Sequence, residues 1–307
     1  MDMSADMERR VGSRRRALLM VNRKARAADT SLNEAVSVLS ESGIAVQEEE
    51  FPPPDRLVDV IRHKFGAIDC VIIGGGDGTL NAAAPALVKT GLPLGILPLG
   101  TANDLARTLE IPSDPMAAAQ VIAAGHTRTV DLGEVNGRLF WNVASIGLSA
   151  DLAREITSET KKRWGKLGYG IAAIRLLVRM RPFTADITHD GVTERVKTVQ
   201  IAVGNGRHYG GGMIVQASAD LDDGLLHLYS LEVDHWWKLL ALYPAFRLGR
   251  HGEWRDVRAF ECTEVEIRTR RRRSINTDGE LTECTPARFR VRPKAIKVYA
   301  PRLDNGP

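Results

Sequence analysis

The sequence predicts an α/β domain with a mainly parallel sheet, followed by a β-rich domain. Three observations carry that expectation. Apolar runs of strand length alternate with helical patterns up to about residue 135, the order that builds a parallel sheet covered by helices. Past that point Asn136-Gly137 joins two apolar segments as a two-residue hairpin turn does. Finally, two early strands end in glycine and small polar residues just before a helix, GGGDGT at 74–79 and GTAND at 100–104.

Ala17 to Val21 reads as the first strand, and Ser31 to Ser42 as a helix stopped by Gly43. Ile44 to Phe51 is the second strand, ended by three prolines; Asp55 is placed to cap a helix reaching about Phe65. Val71 to Ile73 leads into the glycine loop. Thr79 to Val88 is helical in pattern, with Pro85 expected to kink it or to sit in a first turn. Leu94 to Leu97 is the next strand, and a helix from about Asn103 stops before Pro112. Asp114-Pro115 is a cap plus first-turn pair for the helix ending at Gly125, and Thr127 to Val135 is again a strand.

In the second half, His189-Asp190-Gly191 is a turn between strands at Thr184–Thr188 and Val192–Val203. Leu225–Leu231, Val265–Thr269, Arg288–Val291 and Ile296–Tyr299 are further strands. Helical patterns near 161–181 and 235–248 interrupt them. The domain boundary falls near 135. Residues 1–15 form a basic N-terminal stretch, 16–135 the α/β domain, 136–300 the β-rich domain and 301–307 a tail; the last strand is expected to pack back on the first domain.

Composition narrows the function classes. The chain has 307 residues, enough for two cores. A net charge of +4 is weak for a dedicated nucleic-acid binder, and no nucleic-acid module is recognisable. Cys70, Cys262 and Cys284 form no close pair, so neither a zinc site nor a disulfide framework is indicated. The N-terminal stretch lacks the apolar run of a secretory signal, and no segment approaches the length of a spanning helix. A cytoplasmic location, peripheral to the inner face of the membrane, is expected.

Glycines at a strand exit let the backbone approach a ligand closely and adopt positive φ, and amides at the following helix start attract anions. Two such exits on neighbouring parallel strands would share the carboxyl edge of the sheet, where open α/β sheets bind ligands. Asp77 and Asp104 would face that crevice. Turn-forming or N-cap aspartates are the ordinary alternative for either one alone. Asp220, Asp222 and Asp223 before Gly224 offer the oxygen ligands of a hard cation, or simply a polar turn.

GGGDGT followed by PLGTANDLAR resembles the diacylglycerol kinase catalytic family, which includes sphingosine and ceramide kinases and bacterial soluble lipid kinases. Asp131-Leu132-Gly133, Gly204-Asn205-Gly206, Gly210-Gly211-Gly212, Ala219 to Gly224 and Thr277-Asp278-Gly279-Glu280 continue the resemblance in order. It implies an NAD kinase-like first domain, a sandwich-like second domain and an active site in the cleft between them. The implied reaction is ATP-dependent phosphorylation of a lipid hydroxyl, most directly diacylglycerol to phosphatidic acid. ATP would meet Asn22, Arg23, Lys24, Ala25 and Arg26 of the first loop. It would also meet Gly75, Gly76, Asp77, Gly78, Thr79, Leu80, Asn81 and Ala82, and Gly100, Thr101 and Asn103. Glu280 would be the general base. Asp104 and Asp131 would join the network around Mg²⁺ and phosphate. Asp220 and Asp223, with the Leu225 carbonyl, would hold a structural Mg²⁺. The chain departs from the family pattern at Ala82, where an acid is usual, at Phe51, where a Thr is usual, and in the first loop, which carries three cations.

NAD kinase shares GGDG and the two-domain plan, but PLGTANDLAR and TDGE favour the lipid kinases. A nucleotide-responsive membrane-binding regulator without catalysis is the reading that Ala82 and Phe51 motivate. Lys161 to Arg181 holds seven cations and no acid around an apolar stripe that includes Trp164, a pattern able to rest on anionic lipid and equally able to pack on a β core. Trp236, Trp237 and Leu239–Phe246 read as core, and Arg270–Arg273 as a solvated loop. Expected partners are the lipid substrate and an anionic membrane surface, with no nucleic acid; a homodimer is compatible with the sequence.

Overall fold

The computed structural model describes residues 14–22, 29–155, 181–206, 208–209, 213–214, 220–239, 241 and 254–302. Two compact units emerge, one of residues 1–128 with 296–307 and one of residues 129–295. The expected helix at 161–181, Gly210–Gly212, Ala219 and most of 235–248 lie outside the described residues, apart from Arg181 and 235–239 with 241.

The first unit runs β1 (Arg15–Val21), α1 (Asp29–Glu41), β2 (Ile44–Glu50), α2 (Pro54–Lys64), β3 (Cys70–Gly75), α3 (Asp77–Thr90), β4 (Leu94–Pro98), α4 (Asp104–Thr108) and α5 (Pro115–Ala124). Its strands are parallel in the order β2-β1-β3-β4. The chain moves one way from β1 to β2 and the other way from β2 to β3. With right-handed crossovers, that reversal puts α1 and α2 on opposite faces. Accordingly α1 packs with α5, and α2 with α3. Residues 17–20 and 70–73 are fully buried or nearly so, as strands covered on both faces require. The reversal leaves a topological switch point between the carboxyl ends of β1 and β3.

Several local expectations need correction. α2 begins at Pro54, because proline is preorganised for the first helical position; Asp55 therefore lies in the first turn and not at the cap. α3 begins at Asp77, two residues early, and continues through Pro85 to Thr90. α4 is a single short turn preceded by Asn103 at φ +50. The Asp114 cap is as expected, its carboxylate accepting the Ala117 N–H at 2.9 Å.

β5 (Thr127–Val135) runs from the first unit into the second. There follow β6 (Arg138–Phe140), β7 (Val143–Gly147), α6 (Leu148–Glu155), β8 (Phe183–His189), β9 (Val192–Thr198), β10 (Gln200–Gly204), β11 (His208–Tyr209), β12 (Met213–Ile214) and β13 (Leu226–Leu231). The chain ends with β14 (Val257–Cys262), β15 (Glu264–Thr269), β16 (Ser274–Thr277), β17 (Glu280–Cys284) and β18 (Ala287–Tyr299). The β5–β6 turn has Asn136 at φ +50 and Gly137 at +91, the two positive values a type I′ hairpin demands.

In the second unit β18, β15, β8 and β9 form one layer, and β14-β13-β10-β7-β16-β17 the other. Ile146, Ile201, Val203, Leu226, Leu228 and Ile275 meet Ala185, Ile187, Val265, Ile267 and Phe289 in a shared apolar core, so this unit is a β-sandwich. The expected single strand 192–203 is two, because the chain changes sheet at Val199, whose N–H bonds Leu231 and whose carbonyl bonds Leu148. Conversely, 288–291 and 296–299 belong to one strand, β18. Lys294 bends it at φ +52 and aims its N–H at Asp131, 2.6 Å away.

Trp236 and Trp237, expected in a core, are 41% and 54% exposed; among the described residues of this segment, Leu239 packs against Val233 and Val257 among others. Arg270–Arg272 are exposed as expected, whereas Arg273 lies over the Phe183 ring at 3.9 Å.

Candidate functional site

In the first unit the β3 and β4 exits at the carboxyl edge of the sheet are joined by close backbone packing. Gly74 and Gly75 belong to β3, and none of residues 74–78 has positive φ. The glycines are required for space. A Cβ on Gly75 would lie 2.7 Å from the Thr79 side chain, and one on Gly100 would lie 2.5 Å from the Gly76 Cα and 2.6 Å from Asn103 Oδ1. The two glycine exits therefore touch backbone to backbone. Gly76 caps α3 without a side chain, so the positive end of a 14-residue helix is left to whatever anion sits there.

Polar side chains lock the exits together. Asn22 donates from Nδ2 to Thr79 Oγ1 at 3.2 Å, while its N–H bonds the Gly74 carbonyl at 2.9 Å. Asn103 Oδ1 accepts the Gly100 N–H at 3.0 Å. Asp77 accepts the Leu105 N–H at 3.1 Å and so caps α4 from across the crevice, a task the left-handed Asn103 leaves undone. Asp104 is 7% exposed, inside the first turn of α4, so its carboxyl is not open to solvent. Leu80 is buried and Ala82 half-buried, while Asn81 Oδ1 is buried with no partner. Thr101 is exposed and lines a cavity of about 530 Å³ with Pro98, Gly100, Asn103, Arg107 and Ser113, a ligand-sized volume. Arg23, Lys24, Ala25 and Arg26 lie outside the described residues.

In the second unit acidic side chains gather backbone donors. Asp223 accepts the N–H groups of Asp220 at 3.1 Å and Leu225 at 2.9 Å, and lies 2.8 Å from His227 Nε2. Burial pushes its carboxyl up, but the bonds from His227, Asp220 and Leu225 outweigh that and hold it below the usual aspartate value. Among the described residues no three His, Cys, Asp or Glu converge as a metal cluster. The set expected to hold Mg²⁺, Asp220, Asp223 and the Leu225 carbonyl, is all oxygen, as a hard cation requires, and both Asp223 oxygens already accept hydrogen bonds.

Asp131 is 2% exposed and spends its oxygens on the N–H groups of Gly224 (2.7 Å) and Lys294 (2.6 Å). Asp278 accepts three N–H groups, from Trp141, Asn142 and Val143. Glu280, at the start of β17, is exposed. The sequence reading missed Glu134, 3% exposed and held by Arg290 and Arg292. Nothing in a strand of nine residues signals partners 156 and 158 positions away.

A parallel sheet with two glycine exits meeting at its carboxyl edge, followed by a β-sandwich, defines the NAD kinase-like class of kinase folds. Residues 16–135 match the model of the diacylglycerol kinase catalytic domain, and residues 142–300 that of the YegS C-terminal NAD kinase beta sandwich-like domain. The chain belongs to the diacylglycerol kinase catalytic family. It is 35% identical over 255 residues to a "Diacylglycerol kinase" of Mycobacterium tuberculosis (strain ATCC 25618 / H37Rv), covering 78% of this chain and 81% of that one. It is 34% identical over 291 residues to a "Probable lipid kinase YegS-like" protein of Klebsiella pneumoniae (strain 342), covering 93% and 96%. A solved structure from Bacillus anthracis str. Sterne superposes with a TM-score of 0.81 at 28% identity, covering 93% of this chain and 95% of that one. Family and fold together make this chain a lipid kinase. Among the described residues no helix is long and apolar enough to cross a membrane.

Proposed function

We propose that this protein transfers the γ-phosphate of ATP to the hydroxyl of diacylglycerol, releasing ADP and phosphatidic acid. The observation that carries the nucleotide half is the contact between the Gly76 and Gly100 backbones at the β3 and β4 exits, beside the uncapped start of α3. Phosphates bind there through main-chain N–H groups and the helix dipole. Gly75–Ala82, Gly100, Thr101, Asn103 and the loop from Asn22 to Arg26 form the nucleotide site. Asp104, through the short helix it opens, belongs to the same machinery. Since amides supply the contacts, Ala82 and Phe51 do not cost the site its phosphate grip.

In this reading Glu280 accepts the proton of the lipid hydroxyl as its oxygen bonds the γ-phosphorus and the bond to the ADP oxygen breaks. Its exposure at the start of β17 suits a group that must meet an external substrate. Asp220, Asp223 and the Leu225 carbonyl would hold Mg²⁺ as a structural ion. Mg²⁺ carried with ATP would neutralise phosphate charge during transfer. The lipid meets the protein at an anionic membrane surface.

The test is labelled-phosphate transfer from ATP to a panel of diacylglycerol, phosphatidylglycerol, sphingosine, ceramide and NAD, with and without Mg²⁺. Diacylglycerol is expected to be phosphorylated best; labelling of NAD alone overturns the reading. Glu280→Gln is expected to lower kcat by about 10²–10⁴-fold with ATP affinity kept. Full activity in that variant removes Glu280 as the base.

A further inference from the structure

Asp278 and Gly279 form a two-residue turn at φ +48 and +94 between β16 and β17, closed by the Thr277–Glu280 pair. The Asp278 carboxylate reaches out of this turn. Its Oδ2 accepts the Trp141 N–H at 2.7 Å, and its Oδ1 accepts those of Asn142 at 3.0 Å and Val143 at 3.1 Å. The Asp278 N–H in turn donates to the Val143 carbonyl at 3.0 Å. Four hydrogen bonds thus hold the hairpin tip to the segment that opens β7. A type I′ turn needs none of them to form.

The partner segment is itself rigid. Trp141 and Asn142 are 1% and 2% exposed, and the Asn142 carbonyl accepts the N–H groups of Asn205 and Gly206. β16 also pairs β7, with Thr277 opposite Ala144. The Glu280 backbone is held by its pairing with Thr277, and its exposed side chain follows Asp278 by two residues.

We infer that Asp278 is a positioning residue that sets the direction of the Glu280 carboxylate by clamping the β16–β17 turn onto residues 141–143. The inference rests on the reading of Glu280 as the base. Only an ionised carboxylate presents acceptors on both oxygens to all three donors; an asparagine would turn an NH₂ toward at least one N–H. Loss of the clamp lets the turn pivot. A displacement of about 1 Å at a reacting group costs on the order of 10²-fold in rate.

The experiment measures kcat and KM of the full chain with Mg·ATP and diacylglycerol in mixed micelles for D278N, E280Q and the double variant. D278N is expected to lower kcat by about 10–10²-fold with the KM for ATP unchanged. In the double variant the two losses do not multiply, and it is within about twofold of E280Q alone. Multiplying losses, or an unchanged kcat in D278N beside a slow E280Q, overturn the positioning role and leave the base intact. A fully active E280Q overturns both. If D278N does not fold, G279A replaces it. Its Cβ meets nothing within 4 Å, yet φ +94 strains any side chain, so it shifts the same turn and faces the same test of non-multiplying losses.

Discussion

The two units build their sites by opposite means. In the first, side chains are removed: Gly75, Gly76 and Gly100 stand where a Cβ would collide with backbone or with Thr79, so main-chain N–H groups and a helix end remain as the binding surface. In the second, side chains are added: Asp131, Asp223 and Asp278 each take two or three backbone N–H groups, Asp223 within its own turn and Asp131 and Asp278 across distant segments. A shared pattern of glycines and aspartates thus has two physical meanings. Near a parallel-strand exit it makes room for a ligand's charge. Between antiparallel strands it replaces a ligand's charge with a carboxylate of the protein's own. Glu280, the exposed acid, stands apart from the three that are engaged.

That contrast can be broken at several points. The largest effect is expected from Gly100→Ala, since its Cβ would sit 2.5 Å from the Gly76 Cα and neither backbone can yield without opening the crevice. ATP binding by calorimetry should weaken at least about tenfold, with thermal stability changed far less. An unchanged affinity would mean that the glycine contact is incidental to the nucleotide.

Glu134→Ala tests the second unit. It strands Arg290 and Arg292, both about half-exposed, beside an emptied, 3%-exposed site. Denaturant unfolding should show a loss of about 2–3 kcal/mol, below the range for a fully buried pair because the arginines can turn to water. ATP affinity should be unaffected.

The smallest effect concerns Asp223. Its folded value lies below the ordinary 3.8, so its contribution to stability is fully present above that pH and is lost as the pH falls through the folded value. Asp223→Asn should therefore lower the melting temperature at neutral pH and bring the two proteins closer together on acidification. A difference that grows toward low pH would contradict the assigned sign.

Much of the chain up to residue 137 could be read in order because its signals are local. β5 was expected at its observed limits, the Asp114 cap and the Asn136-Gly137 turn depend on neighbouring residues, and the two glycine exits carry their own spacing. Errors arose at Pro54, whose fixed φ opens α2, and at Val199 and Lys294, where hydrogen bonds to distant segments set the course of the backbone. The acids were the hardest to read. Asp77 offered itself as a loop residue and is a cap for a helix that starts 27 residues later. Asp131 resembled a member of a phosphate network, and both its oxygens are engaged by Gly224 and Lys294. The donors to Asp131 lie 93 and 163 residues away along the chain, and no periodicity encodes that.

By itself the sequence determined the strand-helix order, the hairpin turns and the residues held as small as possible at the strand exits. These follow from φ preferences, from the periods of two and 3.6, and from the absence of a Cβ. Only the tertiary structure decided which acids are tethers, because the state of a carboxylate is set by the N–H groups and cations that folding brings within about 3 Å of it.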